Sequence, residues 1–435
     1  MARSGRVAVA LAVLLALAGA TPAVGGSTPG AGGTDAGVSV AVSGADPPQD
    51  GTTTGANESN DTVVLDGIDP DYDAEATLAR VEELRGLSAT GPVVVHEYDD
   101  EDGPEVDLRD QFGAIRPAGA RALQLYSNAS AERRLPLGYT VERDDGVHVY
   151  LMNATDVERY GVSQEVVLAH EFVHALQFQH DLLSPSREAF RTQFDDWTTD
   201  TRLVTTALVE GDAMWTTEGY VERYADGEYA AADYNRTLAR EAWPHSVGGT
   251  PYYYGYEYYH EAGSSPEART AAIRNPPDST AELLHPDETI ERPPIPSPPE
   301  SSQEFEALTR HHEDTVGELV VRHALRINGL SFAEAARAAD GWSNDRMYYY
   351  TEEATTATHW VTAWENETEA QEFADAWREV LDARNATDGE NGTLVVPETD
   401  DAPAVYYVVE REGSLVRVTA APNADLAERL SEAAR

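Results

Sequence analysis

The sequence contains no cysteine and no lysine. The absence of cysteine excludes disulfide bonds, thiol catalysis and zinc sites with thiolate ligands. A metal site in this chain must therefore take its ligands from His, Asp and Glu. The chain has 12 His residues, so imidazole ligands are available.

Positive charge is scarce. The 435 residues include 77 acidic and 31 basic side chains, all the basic ones Arg, for a formal net charge of −46. Phosphate binding needs clustered positive charge, so we expect no nucleic-acid partner. The negative charges on such a surface repel one another in dilute salt and weaken the folded state. Molar salt shortens the Debye length to about 3 Å and screens this repulsion. The composition therefore indicates a halophilic protein.

The N-terminus has the pattern of a secretory signal. Arg3 and Arg6 precede an apolar run at 7–17 that is too short to span a bilayer comfortably, and the small residues 18–20 offer a cleavage site. A retained anchor helix is the alternative, and it would be the membrane contact of the chain. N-x-S/T patterns, beginning at Asn57, suit an exported glycoprotein. We expect a secreted or cell-surface location.

Composition and periodicity divide the chain into four regions. These are a signal peptide (1–20), a Gly/Ser/Thr-rich linker (21–60), a catalytic domain (61–300) and a mainly helical C-terminal part (301–435). Helices are predicted at 74–84, 117–126, 164–180, 196–224, 303–328, 331–339, 367–383 and 424–434. Strands are predicted at 93–95, 139–143, 147–152, 405–409 and 414–419. The predicted fold class is α+β, with a small sheet, a helical second half and a C-terminal β-hairpin.

His170, Glu171 and His174 form an HExxH motif on the helix predicted after Ser163. Side chains four apart on a helix lie on the same face, so the two imidazoles can bind one zinc ion. Glu171 then lies beside the metal, where it can reach a water molecule. The alternative is a helix with two ordinary histidines.

Zinc in a catalytic site needs a third protein ligand. His180 occupies the position of the third His in an extended HExxHxxGxxH pattern, but Gln177 replaces the Gly that would let the chain leave the helix. Glu210, on the next long predicted helix, is the other candidate. Two packed antiparallel helices can bring it to the metal.

Segments 168–177 and 208–213 resemble gluzincin-type HExxH zinc metalloproteases, and the chain is similar to haloarchaeal secreted or surface proteins. Segments 251–255, 276–286 and 340–346 extend the resemblance, which spans about residues 165–346. It implies a zincin-like domain in which His170, His174 and Glu210 hold Zn²⁺ and Glu171 is the general base.

Further side chains can assist this chemistry. A donor to the developing oxyanion is expected, and His285 and Tyr252 are the candidates. Gln177 and Asp212 can orient a ligating His, although Asp212 can equally be a solvated surface acid. The strand at 147–152 can pair with an extended substrate if it lies at a sheet edge.

These patterns predict a zinc-dependent endopeptidase acting on peptide or protein substrates. Two alternatives stay open. A non-catalytic zinc-binding module would keep the metal ligands, although it has no use for Glu171. A structural cell-surface glycoprotein would explain the acidity and the export signal, although it leaves the motif unexplained.

Overall fold

The computed structural model describes residues 11–13, 62–98, 119–125, 136–184, 198–225, 249–298, 309–352, 355–399 and 402–434. The predicted linker and most of the predicted signal peptide lie outside these residues. The strands are β1 (Leu11–Val13), β2 (Val63–Asp66), β3 (Val93–Tyr98), β4 (Gly138–Arg143), β5 (Gly146–Met152), β6 (Thr309–Asp314), β7 (Trp342–Glu352), β8 (Thr355–Trp364), β9 (Thr387–Asp388), β10 (Leu394–Val396), β11 (Val405–Glu412) and β12 (Leu415–Ala421).

The helices are α1 (Ala74–Arg85), α2 (Ala154–Glu158), α3 (Gln164–Gln179), α4 (Thr199–Tyr224), α5 (Thr250–Ala262), α6 (Pro266–Arg274), α7 (Thr280–Leu284), α8 (Gly317–Ile327), α9 (Phe332–Ala339), α10 (Glu367–Ala383) and α11 (Ala424–Ala433). The chain is thus a mixed α and β protein with two sheets. Within the described residues, no helix is both long enough and apolar enough to cross a bilayer.

The first sheet has the strand order β1-β4-β5-β3-β2. Strands β2, β3 and β5 are parallel, while β4 runs antiparallel to both β5 and β1. The hairpin predicted at 139–152 is therefore confirmed. The expectation that 147–152 lies at an edge is wrong, because β5 is enclosed between β3 and β4. The strand paired with Leu11–Val13 is β4, with Leu11 opposite Thr140.

Helices α1 and α3 cover one face of this sheet, and apolar side chains on that face form a common core with them. Asp73 caps the first turn of α1 by accepting the N–H of Ala76, and Gly86 ends the helix with a φ of 69°. In β5, Val147, Val149 and Leu151 alternate toward this core, as the predicted strand requires. The helix predictions at 74–84 and 164–180 are confirmed.

Helix α4 packs against α5 with almost no side chain between the two backbones. A Cβ on Gly211 would lie 2.3 Å from the carbonyl carbon of Gly255, and one on Gly255 would lie 1.8 Å from the carbonyl oxygen of Ala207. Neither distance is sterically possible, so both positions require glycine for space. This contact fixes the position of α4 along its own axis relative to α5. Because Glu210 immediately precedes Gly211, the contact also fixes where Glu210 lies.

The second sheet has seven strands in the order β6-β7-β8-β12-β11-β10-β9. Helix α10 packs on one face through Phe373 and Trp377, and α11 packs on the other through Leu426 and Leu430. The prediction of a mainly helical C-terminal part is therefore wrong, since a large antiparallel sheet is its centre. The predicted hairpin at 405–419 and the helices at 331–339, 367–383 and 424–434 are confirmed.

Two helix predictions fail in part. Residues 309–314 of the helix predicted at 303–328 form β6, and the helix itself starts at Gly317. Residues 119–125 of the helix predicted at 117–126 form a turn, in which Gln124 has a φ of 57°. A Cβ on Gly119 would lie 2.3 Å from Met347 Sδ, so the turn is packed tightly onto the second sheet.

Two buried carboxylates of the second sheet cap helices, and one of these helices belongs to the first half of the chain. Asp314 accepts hydrogen bonds from the backbone N–H and the hydroxyl of Thr199, in the first turn of α4. Asp345 accepts the N–H groups of Val316 and Gly317, at the start of α8. Each acid satisfies helix N–H groups that otherwise lack a partner. The helix that carries Glu210 is thereby attached to β6.

Replacement of Asp345 by Asn tests one of these contacts through its pH dependence. Burial raises the pKa of Asp345 to about 7, so the folded state favours the protonated acid. Its contribution to stability is complete below its unfolded pKa of about 3.9 and is lost as the pH rises through the folded value. Between pH 5 and 7 we expect the wild type to lose about 2 kcal/mol through this group. Denaturant unfolding in molar salt should show a free energy of unfolding that depends less on pH for Asp345→Asn than for the wild type.

Replacement of the exposed Asp375 by Asn is the control. An equal pH dependence of the free energy of unfolding in all three proteins would contradict the role of Asp345.

Candidate metal centre

Helices α3 and α4 bring three side chains to one buried point. The Nε2 atoms of His170 and His174 are 3.1 Å apart. Glu210 Oε2 lies 3.5 Å from the first and 3.3 Å from the second. All three residues are buried, and within the described residues they form the one group of His, Asp or Glu side chains with this spacing.

These separations fit a tetrahedral zinc ion. With metal–ligand bonds of 2.0–2.1 Å, tetrahedral ligand atoms lie about 3.3 Å from one another. The three observed distances are centred on that value. The Oε2 atom of Glu210 is also buried without a hydrogen bond from any described residue, although a buried carboxylate oxygen normally has a donor or a cation. The donor set therefore fits Zn²⁺.

A hydrogen-bond chain orients His174. Its Nδ1 lies 2.8 Å from Gln177 Oε1. The Gln177 amide N–H groups donate to Asp212 Oδ2 and to the carbonyl of Val209. Because that amide uses its hydrogens there, Nδ1 of His174 must carry the proton, and Nε2 presents a lone pair to the metal position. Gln177 thus contacts a motif histidine directly, and Asp212 acts only through Gln177. Asp212 is buried, so the alternative of a solvated surface acid is wrong.

Two buried guanidinium groups anchor Asp212. Arg85 Nε lies 2.7 Å from Oδ2, and Arg269 Nη1 lies 2.6 Å from Oδ1. These side chains come from α1 and α6, so three helices meet at one carboxylate. Removing a partner would leave a buried charge uncompensated, which is far more costly than losing a surface ion pair. Asp212 is thus held in place, and it in turn fixes the side chain of Gln177, whose amide donates to it.

Thr217 orients the other imidazole. Its hydroxyl donates to the carbonyl of Ala213, at 2.8 Å, and its oxygen lies 3.2 Å from Nδ1 of His170. Since the single hydroxyl proton goes to the carbonyl, His170 must donate its Nδ1–H to Thr217. The Nε2 atom of His170 is then also a lone pair directed at the metal position. In its neutral form, each histidine therefore has the tautomer that a metal ligand requires.

The electrostatics favour a positive charge between the three side chains. Burial lowers the pKa of His170 to about 4, so this imidazole stays neutral. Burial also disfavours charge on His174, but the adjacent Glu210 carboxylate outweighs it and raises its pKa to about 9. For Glu210 the burial penalty is likewise overcome, chiefly by His174, and its pKa falls to about 2. The pocket therefore keeps Glu210 ionised and stabilises a proton or a metal cation beside it.

The structure places the remaining predicted residues as follows. His180 caps the end of α3 and its Nε2 contacts the carbonyl of Ser88, so the alternative in which it is the third ligand is wrong. His285 lies with Glu318 and Arg322 and is not a member of the metal-binding group. Tyr252 is buried in the core shared with α3 and α4. The oxyanion roles of His285 and Tyr252 stay predictions.

Four residues around this centre were not predicted from the sequence. These are Thr217, Arg85 and Arg269, described above, and Thr140, whose hydroxyl contacts the buried Glu171 carboxylate. For Thr217 a signal existed, because it lies seven positions after Glu210 and therefore on the same face of α4. The sequence carries no comparable signal for the two arginines, which reach Asp212 from distant helices.

Comparison with known proteins bears only on the C-terminal part. A family described as a domain of unknown function (DUF8575) matches residues 304–431. No curated protein and no solved structure matches the chain. The match covers the second sheet and lies outside the helices of the metal centre.

Replacement of Thr217 by Val should weaken metal binding and leave the fold intact. Loss of a side chain that orients a ligand typically costs 10–100-fold in metal affinity, and we expect roughly that loss of zinc affinity in a chelator competition assay. Thr206→Val is the matched control, because Thr206 lies on the same helix and donates to the carbonyl of Arg202 in the same way. Equal zinc affinities for the two variants would contradict the orienting role.

Proposed function

We propose that this protein is a zinc-dependent endopeptidase. The observation that carries the proposal is the convergence of His170, His174 and Glu210, with donor atoms 3.1–3.5 Å apart, beside the acid that HExxH peptidases use as a base. A purely structural zinc site has no use for that acid. Such a site would also normally close its coordination shell with a fourth protein ligand.

The metal would be held by the two Nε2 atoms and Glu210, with Gln177 and Thr217 fixing the imidazoles. Bound zinc supplies Lewis acidity, which polarises a peptide carbonyl and makes water more acidic. Glu171 accepts the proton from the attacking water and passes it to the nitrogen of the leaving amine. The amide C–N bond breaks as that nitrogen is protonated, which leaves a carboxylic acid and an amine.

The substrate class follows from strand β4, which lies beside Glu171. Thr140 of this strand contacts the Glu171 carboxylate, and the outer side of β4 pairs with the extended segment Leu11–Val13. Leu11–Val13 lies in the predicted signal peptide, and removal of that peptide would free this edge of β4 to pair with an extended substrate by main-chain hydrogen bonds. We therefore propose extended peptides or unfolded protein segments as substrates. The acidic, lysine-free composition and the N-terminal signal support action outside the cell in high salt.

Replacement of Glu171 by Gln tests this function. Loss of a general base typically lowers the rate by about 10²–10⁴-fold, and the ligands of the metal are untouched. We expect the variant to retain about one zinc ion per chain while cleavage of a peptide library in molar salt falls by that factor. Glu158→Gln, at an exposed position on α2, should behave like the wild type.

The same assay separates the alternatives. A wild type that binds zinc but cleaves nothing would indicate a non-catalytic zinc-binding module. A wild type that binds no zinc would indicate a structural glycoprotein. Either result would contradict the proposed activity.

A further inference from the structure

Strand β4 makes a direct contact with the carboxylate of Glu171. The hydroxyl of Thr140 lies 2.6 Å from Glu171 Oε2. Both side chains are fully buried, so bulk water does not compete for the contact. A hydroxyl that donates to a carboxylate at this distance makes a charge-assisted hydrogen bond, which is about twice as strong as a neutral one.

The strand also leaves space for that carboxylate. A Cβ on Gly138 would lie 2.9 Å from Glu171 Oε1 and 2.8 Å from Val167 Cγ1. Either contact is shorter than real Cβ atoms tolerate, and Glu171 would have to shift. The need for glycine here is steric, since the residue sits in a regular strand opposite Leu151.

The hydroxyl of Thr140 has one proton and two acceptors within reach. The carbonyl oxygen of Glu171 lies 3.2 Å away, and the carboxylate oxygen lies 2.6 Å away. The shorter distance and the charge both favour the carboxylate. A free carboxylate can rotate about its terminal torsion, which is broad and roughly two-fold. The hydroxyl removes this freedom by holding one of the two oxygens.

We propose that Thr140 is a positioning residue for the general base, and that Gly138 provides the space in which the carboxylate is held. This inference rests on the proposed peptidase function. With Oε2 held by Thr140, the carboxylate keeps the one orientation in which it takes the proton from water and delivers it to the leaving amine. Thr140 acts through Glu171 and contributes no atom to the metal donor set.

The test uses the full-length protein and two substitutions of Thr140. Thr140→Val replaces the hydroxyl by a methyl group of similar size, and Thr140→Ser keeps the hydroxyl. For Thr140→Val we expect kcat to fall roughly 10- to 100-fold, which is the effect of a misplaced catalytic group, while KM and zinc content stay unchanged. Thr140→Ser should recover most of the lost kcat.

A matched control separates positioning from general destabilisation. Thr362 is a fully buried strand residue of the second sheet whose hydroxyl donates to the carbonyl of Val416 and accepts the Nε1–H of Trp364. Thr362→Val therefore makes the same chemical change without a contact to Glu171, and its kcat should match that of the wild type. If Thr140→Val does not fold, Thr140→Ala removes the hydroxyl without adding a methyl group and is measured in its place.

Crystal structures of the Thr140 variants give a readout that does not depend on activity. We expect a single Glu171 conformer in the wild type and in Thr140→Ser, and a rotated or divided carboxylate in Thr140→Val. An unchanged Glu171 conformer together with a kcat within twofold of the wild type would overturn the positioning role. A wild type that binds zinc but has no peptidase activity would overturn the proposed function instead, and the crystal structures would still decide the role of Thr140.

Discussion

The structure depends on a buried carboxylate that faces two imidazole nitrogens. Glu210 is withdrawn from water and held 3.3 Å from His174 Nε2. A charge in such a place is stable only if a cation or strong hydrogen bonds compensate it. Three successive residues of α4 contribute to this arrangement. Glu210 is the candidate metal ligand, Gly211 allows the backbone contact with Gly255, and Asp212 binds two guanidinium groups.

The candidate metal centre is therefore one part of a connected polar interior. From His174 the contacts run through Gln177 to Asp212, and from there to Arg85 and Arg269. The second sheet joins this system at the other end of α4, where Asp314 holds Thr199. The C-terminal part, which matches a domain of unknown function, is thus attached to the helix that carries Glu210. Among the described residues of this part, none belongs to the His170, His174 and Glu210 group, so its connection to the site is structural.

The failures of sequence-based prediction have particular causes. Strands β7 and β8 were missed because adjacent residues such as Trp360 and Val361 are both buried, one toward α10 and the other toward α11. A strand buried on both faces shows no alternation that would distinguish it from a helix. Strand β6 has the sequence TRHHED, which has few of the residues typical of strands, and its conformation comes from pairing with β7. The turn at 119–125 likewise comes from contact with the second sheet.

What the sequence determined by itself is local. The spacing of His170 and His174 on a capped helix, the exclusion of thiolate ligands and the hairpin of β4 and β5 all follow from short-range patterns. The tertiary structure decided between Glu210 and His180, enclosed β5 inside its sheet, and brought Thr217 and Thr140 to the motif. Each of these outcomes depends on which elements pack together. That choice is governed by contacts between residues far apart in the chain, and no periodicity or spacing in a single segment encodes it.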